Sequence, residues 1–277
     1  MAKSNVEITK YSGDVVPFSK ERLIESLKRS DADEATINEV ATKVEKELYH
    51  GISTKEIYNR AFAMLKAKKS YFASKYKLKK AIFELGPTGF PFEHFISAVL
   101  TQSGYNCKVG ELLQGKCVQH EVDVVAVKNN HTILAECKFK SEVGGSCDVK
   151  IPLYIQARYQ DIKARWDFKE RHLEPAWIVT NARFTKDAHD YAACEGIYLL
   201  SWDFPYGNAL RDRIDALSLY PITVSTLLTQ REKQFLLSRN VVLCKDLIND
   251  KFYLDHLGIS ESRKQKILNE IKLLCHV

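Results

Sequence analysis

The stretch HEVDVVAVKNNHTILAECKF, residues 120–139, decides the fold of the middle of this chain of 277 residues. Two apolar, β-prone runs flank an Asn-Asn pair, which is typical of a tight turn, and together they predict a β-hairpin. Asp123, Glu136 and Lys138 interrupt the apolar runs. Because residues two apart on a strand point to the same side, Glu136 and Lys138 project together, and the hairpin brings Asp123 alongside them.

Charged side chains inside apolar strands indicate a binding site. Two carboxylates and a lysine are costly to bury unless they bind something. Carboxylate oxygens, with the remaining positions left to water and a substrate phosphate, suit Mg²⁺. A lysine beside such a metal can position or deprotonate an attacking water whose pKa the metal lowers. The hairpin therefore points to hydrolysis of phosphodiester bonds.

The sequence on either side of the hairpin predicts an α/β domain over residues 90–228. Helices and strands alternate there in the order αβββ-α-β-α-β, which implies a central mixed sheet flanked by helices. The predicted helices cover residues 91–104, 152–171 and 185–195. The predicted strands cover residues 105–108, 116–119, 122–127, 132–139, 176–180 and 197–201.

This middle region resembles the Mrr-type restriction endonuclease domain of the PD-(D/E)xK nuclease superfamily. The likeness spans about residues 90–202 and rests on D-x(12)-E-C-K, the preceding FEHFISAVLTQSGYN and the following YIQARYQDI and WIVTNARFTKDAHDYAACEGIYLLSW. It implies a restriction-endonuclease-like αβββαβ core and Mg²⁺-dependent cleavage of double-stranded DNA. It also implies catalytic roles for Asp123, Glu136, Lys138 and Gln156, and metal binding by Asp123, Glu136 and Glu93.

Other interpretations of these residues stay open at this point. An E-x-K pattern alone is commonly a solvated ion pair, and an acid in the first turn of a helix, such as Glu93, is commonly a partner of the helix dipole. Relatives usually carry a glycine before the motif aspartate, where this chain has Val122. The alternatives to a restriction endonuclease are a catalytically idle regulator that binds DNA and nucleotide, and a DNA repair or junction nuclease.

Residues 1–86 form a predicted N-terminal domain that is mainly helical. A small hairpin turns at Ser12-Gly13, and a helix capped by Ser19 follows. Helical periodicity continues over residues 34–49, from 53 or 54 to 66, and over 69–83. The sequence Gly-Pro-Thr-Gly at residues 86–89 then breaks the pattern, and we place a domain boundary there.

The N-terminal domain resembles the ATP-cone of ribonucleotide reductases and their transcriptional repressor. The matching segments are ITKYSG, FSKERL, IST and ASKY, within residues 5–81. The likeness implies that ATP or dATP is an effector and that a nucleoside triphosphate is held by Lys10, Arg22, Thr54 and a late basic group, Lys79 or Lys80. Tyr11 stands where the family usually has an arginine, so one bidentate phosphate donor is missing. The alternative is a cone that serves dimerisation or DNA docking.

Residues 229–277 predict a helical C-terminal region. Leu257-Gly258-Ile259 lies between two predicted helices and resembles a helix-hairpin-helix unit. That likeness implies DNA binding through backbone N–H groups at Gly258 and through Arg263 and Lys264 in the next helix. The alternative is a plain helical bundle that packs on the nuclease core.

The charge of the chain is unevenly distributed along its length. The formal net charge is +6, yet residues 61–89 alone carry +6 and residues 90–228 carry −2. This distribution excludes a uniformly basic DNA-coating protein and leaves local phosphate-binding surfaces open. The basic excess comes from seven lysines: Lys66, Lys68, Lys69, Lys75, Lys77, Lys79 and Lys80.

Composition predicts a cytoplasmic protein that does not enter a membrane. The start of the sequence has no signal-peptide pattern, and no apolar run reaches the ~18 residues of a membrane-spanning helix. The seven cysteines are odd in number and form no C-x-x-C pair, which favours free thiols in a reducing compartment. A homodimer is expected only from the resemblance, because cutting both DNA strands usually needs two active sites.

Overall fold

The computed structural model describes residues 6–166, 172–250 and 252–276. Its N-terminal part consists of β1 (Glu7–Thr9), β2 (Val15–Pro17), α1 (Lys20–Lys28), α2 (Glu34–Lys46), β3 (Ile52–Ser53), α3 (Thr54–Lys68), α4 (Ser70–Tyr76) and α5 (Leu78–Phe83). The predicted hairpin is present as β1 and β2, and β3 adds to it in parallel with β1. The helix predicted over residues 69–83 is two helices, α4 and α5, separated at Lys77.

Local capping explains where the N-terminal helices begin. The side chains of Ser19, Asp33 and Ser53 each accept a hydrogen bond from the backbone N–H three residues later, which satisfies a donor that the first helical turn leaves free. The apolar faces of α1, α2 and α3 then enclose a small core around Leu27, Val44 and Leu65. The cone-like region therefore has a core of its own.

The middle part of the chain contains the predicted mixed sheet. Its elements are α6 (Phe90–Gln102), β4 (Asn106–Gln114), β5 (Gln119–Lys128), β6 (His131–Lys138), β7 (Ser146–Cys147), α7 (Lys150–Lys163), β8 (His172–Leu173), β9 (Trp177–Thr180), β10 (Arg183–Phe184), α8 (Lys186–Glu195) and β11 (Tyr198–Leu200). The main sheet has the order β11-β9-β6-β5-β4, with β8 beside β6. Strands β4, β5 and β6 are antiparallel, whereas β9 and β11 run parallel to β6.

Two predictions in this part need correction. The short strands expected at residues 105–108 and 116–119 are replaced by the nine-residue strand β4, and residues 115–118 form the turn into β5. Because β4 is an edge strand that alternates between exposed and half-buried positions, its apolar signal is weak. Helix α7 begins two residues early and ends at Lys163, and residues 167–171 of the predicted helix lie outside the described residues.

The C-terminal helices complete one face of the sheet. They are α9 (Leu210–Leu217), α10 (Gln230–Leu237), α11 (Cys244–Asn249), α12 (Phe252–His256) and α13 (Glu261–Cys275), with a short 3₁₀ turn at Ile222–Val224. Apolar side chains of α5, α6, α9, α10 and α13 share one core with that face. Helices α7 and α8 cover the opposite face. Among the described residues, no helix is long and apolar enough to cross a membrane.

Candidate active site

The site lies where β5 and β6 separate from their regular pairing. The regular pairing between them ends with Val124 opposite Ala135, and Asp123 is the next residue on β5 beyond that pair. The backbone N–H of Cys137 donates to Oδ2 of Asp123 at 2.7 Å. Glu136 is 6% exposed and faces α7, and its Oε1 accepts a hydrogen bond from Nζ of Lys138 at 2.5 Å. The hairpin thus brings Asp123, Glu136 and Lys138 together, as the strand pattern predicts.

A third carboxylate comes from the first turn of α6. Burial raises the pKa of Glu93 to about 7, and the negative charges of Asp123, Glu121 and Glu136 add to the increase. The pKa of Asp123 is raised to about 6, first by burial and then by the charge of Glu136. Glu93 is therefore close enough to the hairpin acids for their negative charges to repel its own. A set of crowded, partly desolvated carboxylates fits a hard divalent cation, which would offset that repulsion.

Lys138 keeps its positive charge in this setting. Its half-buried position lowers its pKa, but the hydrogen bond and the charge of Glu136 outweigh burial, and the pKa is raised overall. A lysine that stays protonated at neutral pH cannot accept a proton from water. Of the two roles predicted for Lys138, positioning a water or a phosphate oxygen fits this electrostatic environment.

An arginine that the sequence reasoning missed completes the surroundings of Glu136. Nη1 of Arg158, on α7, donates to Oε2 of Glu136 at 2.8 Å, so each carboxylate oxygen faces one cation. Gln156, predicted to be catalytic, lies two residues earlier, and its amide donates to Oε2 of Glu195 at 2.7 Å. Residues two apart on a helix do not share a face, so α7 directs one of the pair to the site and the other to α8.

Strand β5 changes the face that it buries at Asp123, next to Val122, which stands where the family usually has a glycine. Val122 is buried in the core on the α7 side, whereas Val124 is buried in the core on the α6 side. In a regular strand, residues two apart share a face. Gly110, which lies across from Asp123 on β4, has a φ of +68°, a conformation that favours glycine. The regular pairing of β4 with β5 skips this position, between Val109 opposite Val124 and Glu111 opposite Val122.

Another cluster of ligand-type side chains lies at the opposite end of β6. Among the described residues, His131, His172 and Glu174 form the group whose potential ligand atoms all lie within 4.8 Å of one another. His131 and His172 are register partners on β6 and β8. The two imidazoles of this cluster favour metals that accept nitrogen ligands. The carboxylates of the hairpin offer oxygen ligands, which favour Mg²⁺.

The family models cover three successive parts of the chain. Residues 87–203 match the family described as restriction endonuclease, in its Mrr-type catalytic form. Residues 6–82 match the ATP cone domain, and residues 220–275 match the family described as AF1548-like, C-terminal. The chain joins an ATP cone to an Mrr-type restriction endonuclease domain.

Similar proteins cover about two thirds of this chain. An uncharacterized protein of Archaeoglobus fulgidus is 29% identical over 178 residues, which cover 64% of this chain and 98% of that protein. The crystal structure of the protein of unknown function AF1548 is 26% identical, with a TM-score of 0.57 over 69% of this chain and 100% of that chain. The MspJI restriction endonuclease, solved with a 27-mer oligonucleotide, is 16% identical with a TM-score of 0.35, over 61% of this chain and 36% of that chain.

Three of the four residues predicted to hold nucleotide line one cavity of the cone. Lys10, Arg22 and Thr54 surround a space of about 230 Å³ between the hairpin, α1 and α3, with Tyr58 and Tyr76 in its wall. This arrangement groups cationic and hydroxyl donors, which is what a triphosphate needs.

The fourth predicted residue, Lys79, lies elsewhere. Its pKa is lowered by partial desolvation and then by the positive charge of Arg183, whereas the charge of Asp203 opposes the shift. Lys80, the alternative residue, does not line the cavity of Lys10 and Arg22, and neither does Lys79. The prediction that either lysine contacts the same nucleotide does not agree with this placement.

In the C-terminal region, the predicted DNA-binding side chains form contacts within the protein. Gly258, with a φ of +63°, does lie in the link between α12 and α13. Arg263 donates to both carboxylate oxygens of Glu232, at 2.5 and 2.7 Å. Lys264 is 8% exposed and forms ion pairs with Asp255 and Glu261. Binding of DNA by these two side chains would need an exchange of partners.

Proposed function

We propose that the protein is a Mg²⁺-dependent endonuclease that hydrolyses phosphodiester bonds of double-stranded DNA, of the restriction type, with ATP or dATP as an effector at the cone. The convergence of Glu93, Asp123, Glu136 and Lys138 within the restriction endonuclease domain carries this proposal. Three carboxylates with one fixed cation beside them suit a metal, a phosphate and a water held close together.

Each side chain of the proposed site has a distinct role. Asp123, Glu136 and Glu93 would hold the metal. When bound, Mg²⁺ supplies positive charge against the scissile phosphate and lowers the pKa of a coordinated water. Lys138 stays protonated beside Glu136 and orients a water or a phosphate oxygen. Arg158 is a positioning residue, because its bond to Oε2 restrains the direction of the Glu136 carboxylate.

A plasmid-nicking assay tests this site. We expect the full-length protein to nick plasmid DNA when Mg²⁺ is present, and we expect Lys138→Ala to slow nicking at least a hundredfold. Lys108→Ala is the matched control, since Lys108 is an exposed lysine on strand β4 of the same domain. If Lys138→Ala nicks as fast as the parent protein, the assignment of the site is wrong. Methylated and unmethylated plasmids are compared in the same assay, with and without ATP.

Two further assays on the same purified protein distinguish the alternative functions. A catalytically idle regulator would retain DNA affinity, measured by a mobility shift, without any Mg²⁺-dependent nicking. A repair or junction nuclease would cleave branched DNA faster than linear or supercoiled duplex. Either result would replace the restriction-type proposal while leaving the domain assignment unchanged.

A further inference from the structure

A second cavity lies where the cone meets the C-terminal region. It encloses about 260 Å³ between α3, α5 and the segment that leads into α10. Ser225 and Thr226 contribute to its wall, next to four basic side chains. Those four are Lys66, Lys77, Lys80 and Lys233. The lysine-rich stretch of the cone and the basic C-terminal end thus come together around one space.

Two of these lysines are buried beside each other. Lys77 is 9% exposed and Lys233 is 4% exposed. Nζ of Lys77 donates to Oε2 of Glu84 at 2.6 Å and to the backbone carbonyl of Thr223 at 3.0 Å. Nζ of Lys233 donates to the same carbonyl at 2.9 Å and lies 4.0 Å from the same Glu84 oxygen. Two buried ammonium groups therefore share one carboxylate and one carbonyl.

The surrounding acids do not balance the four lysines. Glu270 also acts on Lys233, but its oxygens already accept hydrogen bonds from Ser74, Ser225 and Thr226. Glu84 and Glu270 thus face two buried ammonium groups, those of Lys77 and Lys233, and the exposed Lys66 and Lys80 add two more positive charges to the lining of the cavity. Buried charges in proteins are normally paired, because an unpaired charge loses its hydration without compensation.

The pKa of Lys233 reflects the crowding of positive charge around it. Its pKa is lowered to about 8, first by burial and then by the charge of Lys77, while Glu84 and Glu270 oppose the shift. An anion in the cavity would stabilise the protonated form and raise this pKa.

The wall between the two cavities contains an unpaired polar group. Tyr58 lines both this cavity and the cavity of Lys10 and Arg22. Within the described part of the chain, its hydroxyl is buried and has no hydrogen-bond partner. Buried hydroxyl groups are rarely left without a partner, so this wall is suited to a ligand that accepts or donates a hydrogen bond.

From these contacts we infer that the lysine cavity, defined by Lys66, Lys77, Lys80 and Lys233, binds the phosphate groups of a small molecule. Lysine ammonium groups are point-charge donors that suit phosphate oxygens. A duplex phosphate is excluded as the occupant, because Lys77 and Lys233 are buried inside a cavity that a DNA helix is too wide to enter. The phosphates belong either to a nucleoside triphosphate or to free pyrophosphate.

Such a ligand would connect two parts of the molecule. Lys66, Lys77 and Lys80 belong to the cone, whereas Lys233 begins the C-terminal bundle on α10. A bound phosphate would offset the repulsion among these lysines and hold the two parts together. This site is separate from the cavity of Lys10, Arg22 and Thr54 and does not depend on DNA cleavage.

Calorimetric titration of pyrophosphate into the full-length protein tests the inference. We expect binding by the parent protein and at least tenfold weaker binding by the double variant Lys66→Gln, Lys80→Gln. Both lysines are exposed, so the variant should fold, and an unchanged melting temperature verifies this. The matched control is Lys46→Gln, Lys68→Gln, which removes two exposed lysines of α2 and α3 outside the cavity and should bind within twofold of the parent.

Further titrations with ATP identify which molecule supplies the phosphate groups. If ATP displaces pyrophosphate and its affinity also falls in the Lys66, Lys80 variant, a nucleotide supplies the phosphates. If ATP affinity falls only in Arg22→Gln, free pyrophosphate is the ligand. Lys138→Ala should bind pyrophosphate like the parent, which separates this site from the nuclease site.

Three results would overturn the inference. One is the absence of heat and of any thermal shift with pyrophosphate. A second is equal weakening in the two double variants, which would indicate a general charge effect. The third is a parent protein that does not bind pyrophosphate but binds duplex DNA, and loses that DNA binding in the Lys66, Lys80 variant. The lysines would then belong to a DNA-binding surface.

Discussion

At the residue scale, Asp123 and Glu136 differ in how neighbouring groups balance their negative charges. Each oxygen of Glu136 faces a cation, Lys138 on one side and Arg158 on the other. Asp123 accepts a backbone N–H, and burial together with Glu136 still raises its pKa to about 6. Asp123 therefore destabilises the fold when it is ionised, and a divalent cation is the partner that would reverse this effect.

The pH dependence of the free energy of unfolding, with and without Asp123, tests whether the ionised carboxylate destabilises the fold. The folded protein holds the Asp123 proton more tightly than the unfolded chain, so stability falls as pH rises from about 4 to about 6, and the cost persists above that range. Without divalent ions, Asp123→Asn should raise the free energy of unfolding at pH 8 by about 1–2 kcal/mol, and the gain should vanish below pH ~4. Urea denaturation at both pH values measures it.

The control for this prediction is Asp14→Asn, since Asp14 is exposed and lies in the N-terminal hairpin. It should change stability by less than about 0.5 kcal/mol at either pH. Adding Mg²⁺ should stabilise the parent protein and leave Asp123→Asn unaffected. Equal stabilisation of both proteins by Mg²⁺ would show that Asp123 is not a metal ligand.

At the element scale, the position of each helix decides which predicted residues meet. Helices α1 and α3 bring Arg22 and Thr54 to one cavity with Lys10 of the hairpin. Lys79 belongs to α5, which packs in the core shared with the C-terminal helices, and it does not line that cavity.

Nucleotide binding should therefore depend on Arg22 and not on Lys79. Arg22→Gln should weaken ATP or dATP binding at least tenfold, because it removes a bidentate phosphate donor from the cavity. Lys79→Gln should bind like the parent, and isothermal calorimetry compares the three proteins. Equal losses in both variants would contradict the placement of the nucleotide. If the parent itself gives no heat with ATP, dATP or ADP, the cone serves as a dimerisation or DNA-docking module.

At the scale of the whole molecule, one buried carboxylate connects the cone to the C-terminal region. Glu270 on α13 is 1% exposed. Its oxygens accept hydrogen bonds from Ser74 of α4 at 2.8 Å, from Ser225 at 2.5 Å, and from the hydroxyl of Thr226 at 2.7 Å. Because α5 also contributes to the shared core, the three regions are held by both apolar and polar contacts.

Removal of Glu270 should therefore destabilise the whole protein. Glu270→Ala leaves several buried hydroxyl groups without an acceptor, and we expect a loss of about 2–4 kcal/mol in the free energy of unfolding. Chemical denaturation measures the loss. Asn269→Ala, at an exposed position of the same helix, should have little effect. A similar small effect for both variants would mean that this junction contributes little.

The sequence alone determined the features that depend on local pattern. The hairpin with Asp123, Glu136 and Lys138 follows from strand alternation and a turn, and helix caps such as Ser19 follow from residues three apart. These relations need no knowledge of distant parts of the chain, which is why the hairpin and the starts of such helices were predictable.

Only the tertiary structure decided which distant groups meet. Arg158 contacts Glu136 and Gln156 does not, because a helix rotates about 200° over two residues and the packing of α7 sets which of the two faces the sheet. The lysine cavity likewise joins residues that lie about 150 positions apart in sequence, such as Lys77 and Lys233. Contacts of this kind arise when helices pack into a shared core, and periodicity within one helix carries no information about its partner.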